Sequence, residues 1–133
     1  MAVKINIFDT NNAHANSWKE AGLECGIRID RSPLITGPHN VEWVRNKMSF
    51  DGITVFTDNY FNQDLISSVR SGFKVGVILE PIAHDSRPYR SILEVEDLLD
   101  FIFTFNKQLI DRNPRKYKFI PADWVCIEEK SFL

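Results

Sequence analysis

The feature that most constrains the fold is a series of short apolar runs, each bounded by turn residues. Four of them are rich in β-branched and aromatic residues and cover residues 3–8, 52–57, 74–79 and 101–105. The second and third are apolar at nearly every position, which is typical of strands that are covered on both faces of a parallel sheet. Two weaker runs, residues 26–29 and 116–120, are further candidate strands.

The segments between these runs have the apolar spacing of helices. Helices are predicted over residues 12–23, 39–48, 89–99 and 106–112, and in the second of them Val41, Val44 and Met48 lie at positions i, i+3 and i+7. A further helix is expected to be capped by Asp58 or Asn59 and to end near Gly72. This alternation predicts one α/β domain over residues 1–133, with a doubly wound, mostly parallel Rossmann-like sheet of five or six strands and helices on both faces.

Composition and charge exclude several classes of function. The apolar fraction of 44% and the charged fraction of 26% are ordinary for a soluble globular protein. A net charge of −2 argues against nucleic-acid binding, and no apolar run approaches the ~20 residues that span a membrane. The first residues lack the pattern of a secretory signal, and the isolated Cys25 and Cys126 are expected to be reduced, which predicts a cytoplasmic protein.

No motif in the sequence predicts a cofactor or a metal. Neither GxGxxG nor GxxxxGK[ST] occurs, so the phosphate-binding loops of dinucleotide and P-loop sites are missing. The three histidines are far apart, and the cysteines do not form a cluster with them. We therefore expect neither a bound cofactor nor a metal site.

Polar residues follow the predicted strands where a ligand site is expected. In open α/β sheets, ligands bind outside the carboxyl ends of the strands. The residues at these ends are Asp9, Thr10, Asp58, Glu80 and Asn106. A cap of the first helix is the more natural reading of Asp9 or Asn11, and a bond to the N-terminus of a neighbouring helix is the alternative reading of Glu80.

The loop after Glu80 combines several functional groups. His84, Asp85 and Arg87 place an imidazole, a carboxylate and a guanidinium within one short segment. Such a set can transfer protons or bind an anion, and it can equally be a solvated loop. Asp58 at a strand end also suggests a phosphoacceptor of the receiver-domain type, but the acidic pair expected after the first strand is missing.

The sequence from Asp58 onward resembles the N-terminal half of fucosyltransferase-like and lipopolysaccharide-type glycosyltransferases of bacteria and large viruses. The residues that carry the resemblance are an apolar strand ending in Glu80-Pro81, a loop that reaches Tyr89, the run DFIFT at residues 100–104, Asn106 before a short helix, and Ile120-Pro121 before Trp124. The first strand resembles that family more loosely.

The resemblance implies a Rossmann-like domain from a two-domain glycosyltransferase, in which the N-terminal domain holds the acceptor and the C-terminal domain holds the nucleotide-sugar. It makes Glu80 the candidate general base on an acceptor hydroxyl and adds Tyr89 to the candidate ligand-binding residues. The expected partners are a sugar or glycan acceptor and a second domain or subunit. Since no such second domain follows in this sequence, we expect a fragment, one half of a pair, or a relic without activity of its own.

Two other functions fit the same fold. A non-enzymatic protein-interaction module is suggested by the missing second half and by the apolar residues Trp124, Phe132 and Leu133. A flavodoxin-like regulator that binds a small molecule or nucleotide is the third hypothesis, and the missing phosphate loop argues against it.

Overall fold

The computed structural model describes residues 3–9 and 41–121, and these form an all-parallel, six-stranded sheet. The strand order is β2-β1-β3-β4-β5-β6. The doubly wound, parallel, Rossmann-like α/β fold predicted from the sequence is confirmed. The strands are β1 Val3–Phe8, β2 Val41–Arg45, β3 Ser49–Thr57, β4 Arg70–Val77, β5 Phe101–Thr104 and β6 Tyr117–Phe119.

Short helices connect the consecutive strands from β3 to β6. They are α1 Gln63–Ser68, α2 Arg87–Val95 and α3 Lys107–Arg112, with 3-10 turns at Asp58–Tyr60 and Glu96–Leu98. Asn62 caps α1, because its Oδ1 accepts the N–H of Leu65 at 2.9 Å, and Asn106 caps α3 in the same way. The predicted cap of α1 at Asp58 or Asn59 is wrong, since the chain first makes a 3-10 turn there.

These helices pack against one face of the sheet, where the main core lies. Gly76 of β4 packs directly against core side chains on the helix side of the sheet. A Cβ at this position would lie 3.0 Å from Leu99 and 3.4 Å from Ile102 and Phe61. Glycine therefore permits the close approach of this layer. The core residues on this face include Phe56, Ile66, Ile78, Ile92, Ile102, Leu109 and Tyr117.

The opposite face carries exposed apolar side chains on three neighbouring strands. Ile53 on β3 is 41% exposed, Phe73 on β4 46% and Phe101 on β5 37%. The rings of Phe73 and Phe101 stack with their centroids 6.0 Å apart. We call these three residues the Phe73–Phe101 face.

Residues 41–45 form a strand, so the helix predicted over residues 39–48 is wrong. β2 pairs in parallel with β1 from Val3 opposite Val41 to Ile7 opposite Arg45. A short segment with two valines and a tryptophan can match the apolar spacing of a helix or that of a strand. Which of the two it forms depends on the element that lies beside it. The free edge of β1 provides that partner.

The side chain of Asn6 supports the short connection from β2 to β3. Only residues 46–48 join these strands, although β1 lies between them in the sheet. Asn46 turns the chain with a left-handed φ of 53°. The buried Asn6 amide then donates from Nδ2 to the Lys47 carbonyl at 2.8 Å, and its Oδ1 accepts the Lys47 N–H at 3.0 Å. Its amide thus binds the crossing backbone as a neighbouring strand would.

The helix predicted over residues 12–23 and the strand over 26–29 lie outside the described residues. Among the helices that the structure describes, none is both long enough and apolar enough to cross a membrane.

Candidate functional site

A polar cleft lies at the edge of the sheet where β3 and β4 end. Parallel strands bring their carboxyl ends to the same edge, so the residues after Thr57 and after Val77 meet there. The cleft encloses about 200 Å³. We call it the Asp58–Glu80 cleft, and its lining residues are Thr57, Asp58, Asn59, Glu80, His84, Asp85 and Arg87.

Asp58 fixes the end of β4 to the end of β3. Its side chain is buried, and Oδ1 accepts the backbone N–H groups of Leu79 at 3.0 Å and Glu80 at 3.3 Å. Burial raises the pKa of Asp58, and the two amide hydrogen bonds oppose that rise without cancelling it. The negative charges of Glu80 and Asp85 raise the pKa further. Asp58 therefore positions the backbone of Glu80, although burial disfavours the ionised form of the Asp58 side chain.

Glu80 presents its carboxylate to the cleft. Its side chain is 24% exposed, and Oε2 lies 3.7 Å from Nε2 of His84, which is 74% exposed. Because His84 is so exposed, this contact does little to hold the Glu80 side chain in place. The carboxylate is therefore accessible to a ligand, and an imidazole stands within reach of the same ligand.

Tyr89 supports Glu80 from the core side. Its hydroxyl donates to the backbone carbonyl of Glu80 at 2.8 Å, and its ring is buried. Burial, with the negative charge of Asp58 as a smaller cause, raises the pKa of Tyr89 to about 12. The hydroxyl consequently keeps its proton at neutral pH and stays a donor. Asp58 and Tyr89 hold Glu80 on both its amide and its carbonyl side.

Asp85 and Arg87 neutralise each other at the rim. The guanidinium donates from Nε to Oδ1 at 3.0 Å and from Nη2 to Oδ2 at 2.8 Å, and the backbone N–H of Arg87 donates to Oδ1 at 2.9 Å. These bonds lower the pKa of Asp85 to about 2. The positive charge of Arg87 is thus matched by an acid of the same loop, and a phosphate would have to compete with Asp85 for it.

A second cavity of about 210 Å³ adjoins the first. Asp58, Asn59 and Arg87 line both cavities. The second adds Phe61 and Pro88, which provide an apolar wall, and the polar side chain of Ser91. Each cavity is smaller than the ~300–1,000 Å³ of pockets for drug-sized ligands, so the pair is suited to a small polar molecule with one apolar face.

The structure brings together five of the residues that the sequence singled out: Asp58, Glu80, His84, Asp85 and Arg87. Tyr89 reaches them through its bond to the Glu80 carbonyl. The residues it does not bring into the cleft are Asp9 and Asn106, and Thr10 lies outside the described residues.

Asp9 and Asn106 have structural partners at other strand ends. The Asp9 side chain is only 2% exposed, and its Oδ2 lies 3.0 Å from Nη1 of Arg45 at the end of β2. Asn106 accepts the N–H of Leu109 with its side chain and donates its own N–H to Thr104. Both polar groups therefore stabilise strand ends.

Sequence reasoning did not identify the apolar wall of the cleft. Phe61 follows a 3-10 turn and Pro88 lies in the first turn of α2, and no local signal marks such residues as ligand contacts. In the sequence, Thr57 is only the last residue of a predicted strand. In the structure, its hydroxyl donates to the Phe8 carbonyl. Within the described residues, no three His, Cys, Asp or Glu side chains are grouped so that they could hold a metal ion.

Comparison of the chain with models of protein families, with curated proteins and with solved structures found no match.

Proposed function

We propose that this domain is the acceptor-side half of a glycosyltransferase-like protein and binds a sugar or short glycan in the Asp58–Glu80 cleft. The observation that carries the proposal is the accessible carboxylate of Glu80, whose backbone is held by Asp58 and Tyr89. A fixed carboxylate can accept a hydrogen bond from a hydroxyl group in a defined geometry.

The chemical character of the two cavities supports a sugar ligand. Glu80 supplies a carboxylate acceptor, and Asn59 supplies an amide that both donates and accepts. Phe61 and Pro88 line the second cavity beside them, and because both are largely buried they leave only a small apolar patch for the C–H face of a sugar ring. The pairing of Arg87 with Asp85 makes the cleft a poor site for a phosphate group, which agrees with an acceptor and not a nucleotide-sugar.

In this proposal Glu80 is the general base. The acceptor hydroxyl would form a bond to the anomeric carbon of the donor while Glu80 takes its proton, and the bond from that carbon to the leaving phosphate would break. The donor would be held by a second domain or subunit. We therefore expect the chain alone to bind the acceptor without transferring a sugar, in the cytosolic setting that its isolated cysteines suggest.

The test is binding of a panel of monosaccharides and short glycans, measured by saturation-transfer NMR and calorimetry. The decisive variant is Glu80→Gln, and the matched control is Glu94→Gln, because Glu94 is an exposed residue of α2 outside both cavities. A hydrogen bond to a carboxylate is worth about 1 kcal/mol more than one to the neutral amide oxygen that glutamine keeps, so Glu80→Gln should weaken binding about fivefold and the control should not. The proposal fails if no sugar binds, or if both variants bind as well as the unmodified chain.

A second candidate function is a non-enzymatic protein-interaction module. The observation that favours it is the Phe73–Phe101 face, since contiguous exposed apolar residues often mark interfaces. A docking partner would cover Ile53, Phe73 and Phe101. Replacing Phe73 with Ser should then abolish capture of that partner and leave sugar binding in the cleft intact.

A further inference from the structure

We propose that Asp85 determines which ligands the Asp58–Glu80 cleft accepts. By holding the guanidinium of Arg87, it restricts the cleft to uncharged molecules with hydroxyl groups and excludes ligands that carry a carboxylate or a phosphate. The inference names uncharged sugars as the ligand class and rests on the proposed function for the sugar itself. Its statement about anions concerns the cleft alone.

Arg87 is the residue to which an acidic ligand of the cleft would bind. Among the described residues that line the two cavities, it alone carries a permanent positive charge. Its side chain is 74% exposed, so a ligand can reach it from solvent. Guanidinium groups bind carboxylates and phosphates through pairs of parallel N–H bonds, so a free Arg87 would favour an acidic ligand.

Asp85 already occupies the edge of the guanidinium that such a ligand would use. Nε of Arg87 donates to Oδ1 at 3.0 Å and to Oδ2 at 3.1 Å, and Nη2 donates to Oδ2 at 2.8 Å. Exposed ion pairs are usually weak, but this one is bidentate and joins residues that are two positions apart. A carboxylate tethered so closely has a far higher effective concentration than a dissolved anion, which would have to displace it.

The other charges of the cleft also act against an acidic ligand. Burial raises the pKa of Asp58, and the negative charges of Glu80 and Asp85 raise it further, so both charges act inside the cleft. The imidazole of His84 is largely exposed and lies 3.7 Å from the Glu80 carboxylate. An anion in the cleft would therefore lie near Glu80 while the charge of Arg87 is already matched by Asp85.

An uncharged ligand does not meet this repulsion. Asp85 uses the Nε–H and an Nη2–H of Arg87, and the Nη1 group can still donate to a hydroxyl oxygen. The carboxylate of Glu80 can accept a bond from a hydroxyl group, and the amide of Asn59 can donate and accept. The described lining of the cleft thus offers donors and acceptors to hydroxyl groups, whereas its guanidinium is paired with a carboxylate.

Titration with inorganic phosphate tests the role of Asp85 without requiring any sugar to bind. Asp85→Asn removes the negative charge and keeps an oxygen that can accept the backbone N–H of Arg87, as Oδ1 does at 2.9 Å. We expect this variant to bind phosphate about tenfold more tightly than the parent chain, because the guanidinium becomes available for charge-assisted bonds. Calorimetry gives the affinity, and the NMR resonance of the Arg87 Nε–H reports whether phosphate binds at that side chain.

Two matched variants separate the release of Arg87 from a simple loss of negative charge. Asp111→Asn frees the exposed Lys107 from its ion pair outside both cavities, and Glu80→Gln removes a carboxylate from the cleft while the Asp85–Arg87 pair stays. Both should gain less phosphate affinity than Asp85→Asn. The inference is overturned by an equal gain in either control, by equal affinities of Asp85→Asn and the parent, or by an Arg87 resonance that phosphate does not shift. Asp85→Ser repeats the titration if Asp85→Asn does not fold, since its hydroxyl can also accept the backbone N–H.

Matched sugars then connect the inference to the proposed function. Glucose and glucuronic acid, and likewise galactose and galacturonic acid, differ only in a hydroxymethyl group that is replaced by a carboxylate. The parent chain should bind the uncharged sugar of a pair more tightly, and Asp85→Asn should narrow or reverse that preference. An unchanged preference overturns the inference. If no sugar of the panel binds while Asp85→Asn gains phosphate affinity, the proposed function fails and Asp85 remains the residue that excludes anions.

Discussion

The hydrogen bonds of Asp58 predict opposite effects for two substitutions at the same position. Asp58→Ala removes the acceptor of the Leu79 and Glu80 amides. An unpaired buried donor costs about 1–3 kcal/mol. The Leu79 bond at 3.0 Å should count in full, while the Glu80 bond at 3.3 Å is weaker and that amide can be solvated from the cleft. We therefore expect a loss of about 2 kcal/mol in the free energy of unfolding.

Asp58→Asn should behave differently, because its amide oxygen can still accept both N–H groups. The pKa of Asp58 is raised in the folded state, so the native protein holds the proton more tightly than the unfolded chain does. Its stabilising contribution is then fully present below the unfolded pKa of 3.8 and is lost as the pH rises through the folded pKa. At neutral pH the asparagine avoids the cost of the buried charge, and its stability should equal or exceed that of the parent chain.

Urea unfolding at several pH values between 4 and 8 measures both effects. With an m value of about 2 kcal/mol/M, Asp58→Ala should lower the midpoint by about 1 M at neutral pH. Asp97→Ala and Asp97→Asn are the matched controls, since Asp97 is exposed in a 3-10 turn, and each should stay within about 0.5 kcal/mol of the parent. Equal destabilisation by Asp58→Ala and Asp58→Asn would refute the argument, because the charge and not the acceptor would then hold the loop.

Three further substitutions or titrations test other parts of the structure. Asn6→Leu leaves the amide and carbonyl of Lys47 without their side-chain partner and should cost about 2–4 kcal/mol in denaturant unfolding. A smaller loss would mean that water replaces the Asn6 amide. Gly76→Ala places a methyl group 3.0 Å from Leu99 in the filled core, and we expect a net loss of about 1 kcal/mol by the same assay, with an unchanged midpoint as the contrary result. Tyr89 should form its phenolate only near pH 12, so the absorbance of Tyr89→Phe should differ from the parent mainly above pH 11, and a difference near pH 10 would show that the hydroxyl is solvated.

The sequence was a good guide to the strands and a poorer guide to the connections. The runs at 3–8, 52–57 and 101–105 were recognisable because they are rich in the β-branched and aromatic residues that strands favour. β3 and β4 nevertheless start earlier than their apolar runs, at Ser49 and Arg70. Their first residues pair as strands through the backbone, which side-chain composition does not report.

The residues of the candidate site were likewise predicted only in part. Asp58 and Glu80 were found because the ends of neighbouring parallel strands share one edge. The ion pair of Asp9 with Arg45 could not be predicted from the sequence. Asp9 lies at the same edge, but β2 follows β1 in space and brings Arg45 beside it. The apolar wall at Phe61 and Pro88 also depends on how α2 packs over the 3-10 turn.

The sequence by itself determined that the chain forms a parallel α/β sheet and that its acids gather at the carboxyl edge. Both follow from local composition and from the alternation of strands and helices. Only the tertiary structure decided which groups meet: Asp58 with the Glu80 backbone, Asp9 with Arg45, and Asn6 with the crossing chain at Lys47. The physical reason is that the conformation of a short segment depends on the strand that lies beside it. The partners and the protonation of a polar group depend on the same neighbours.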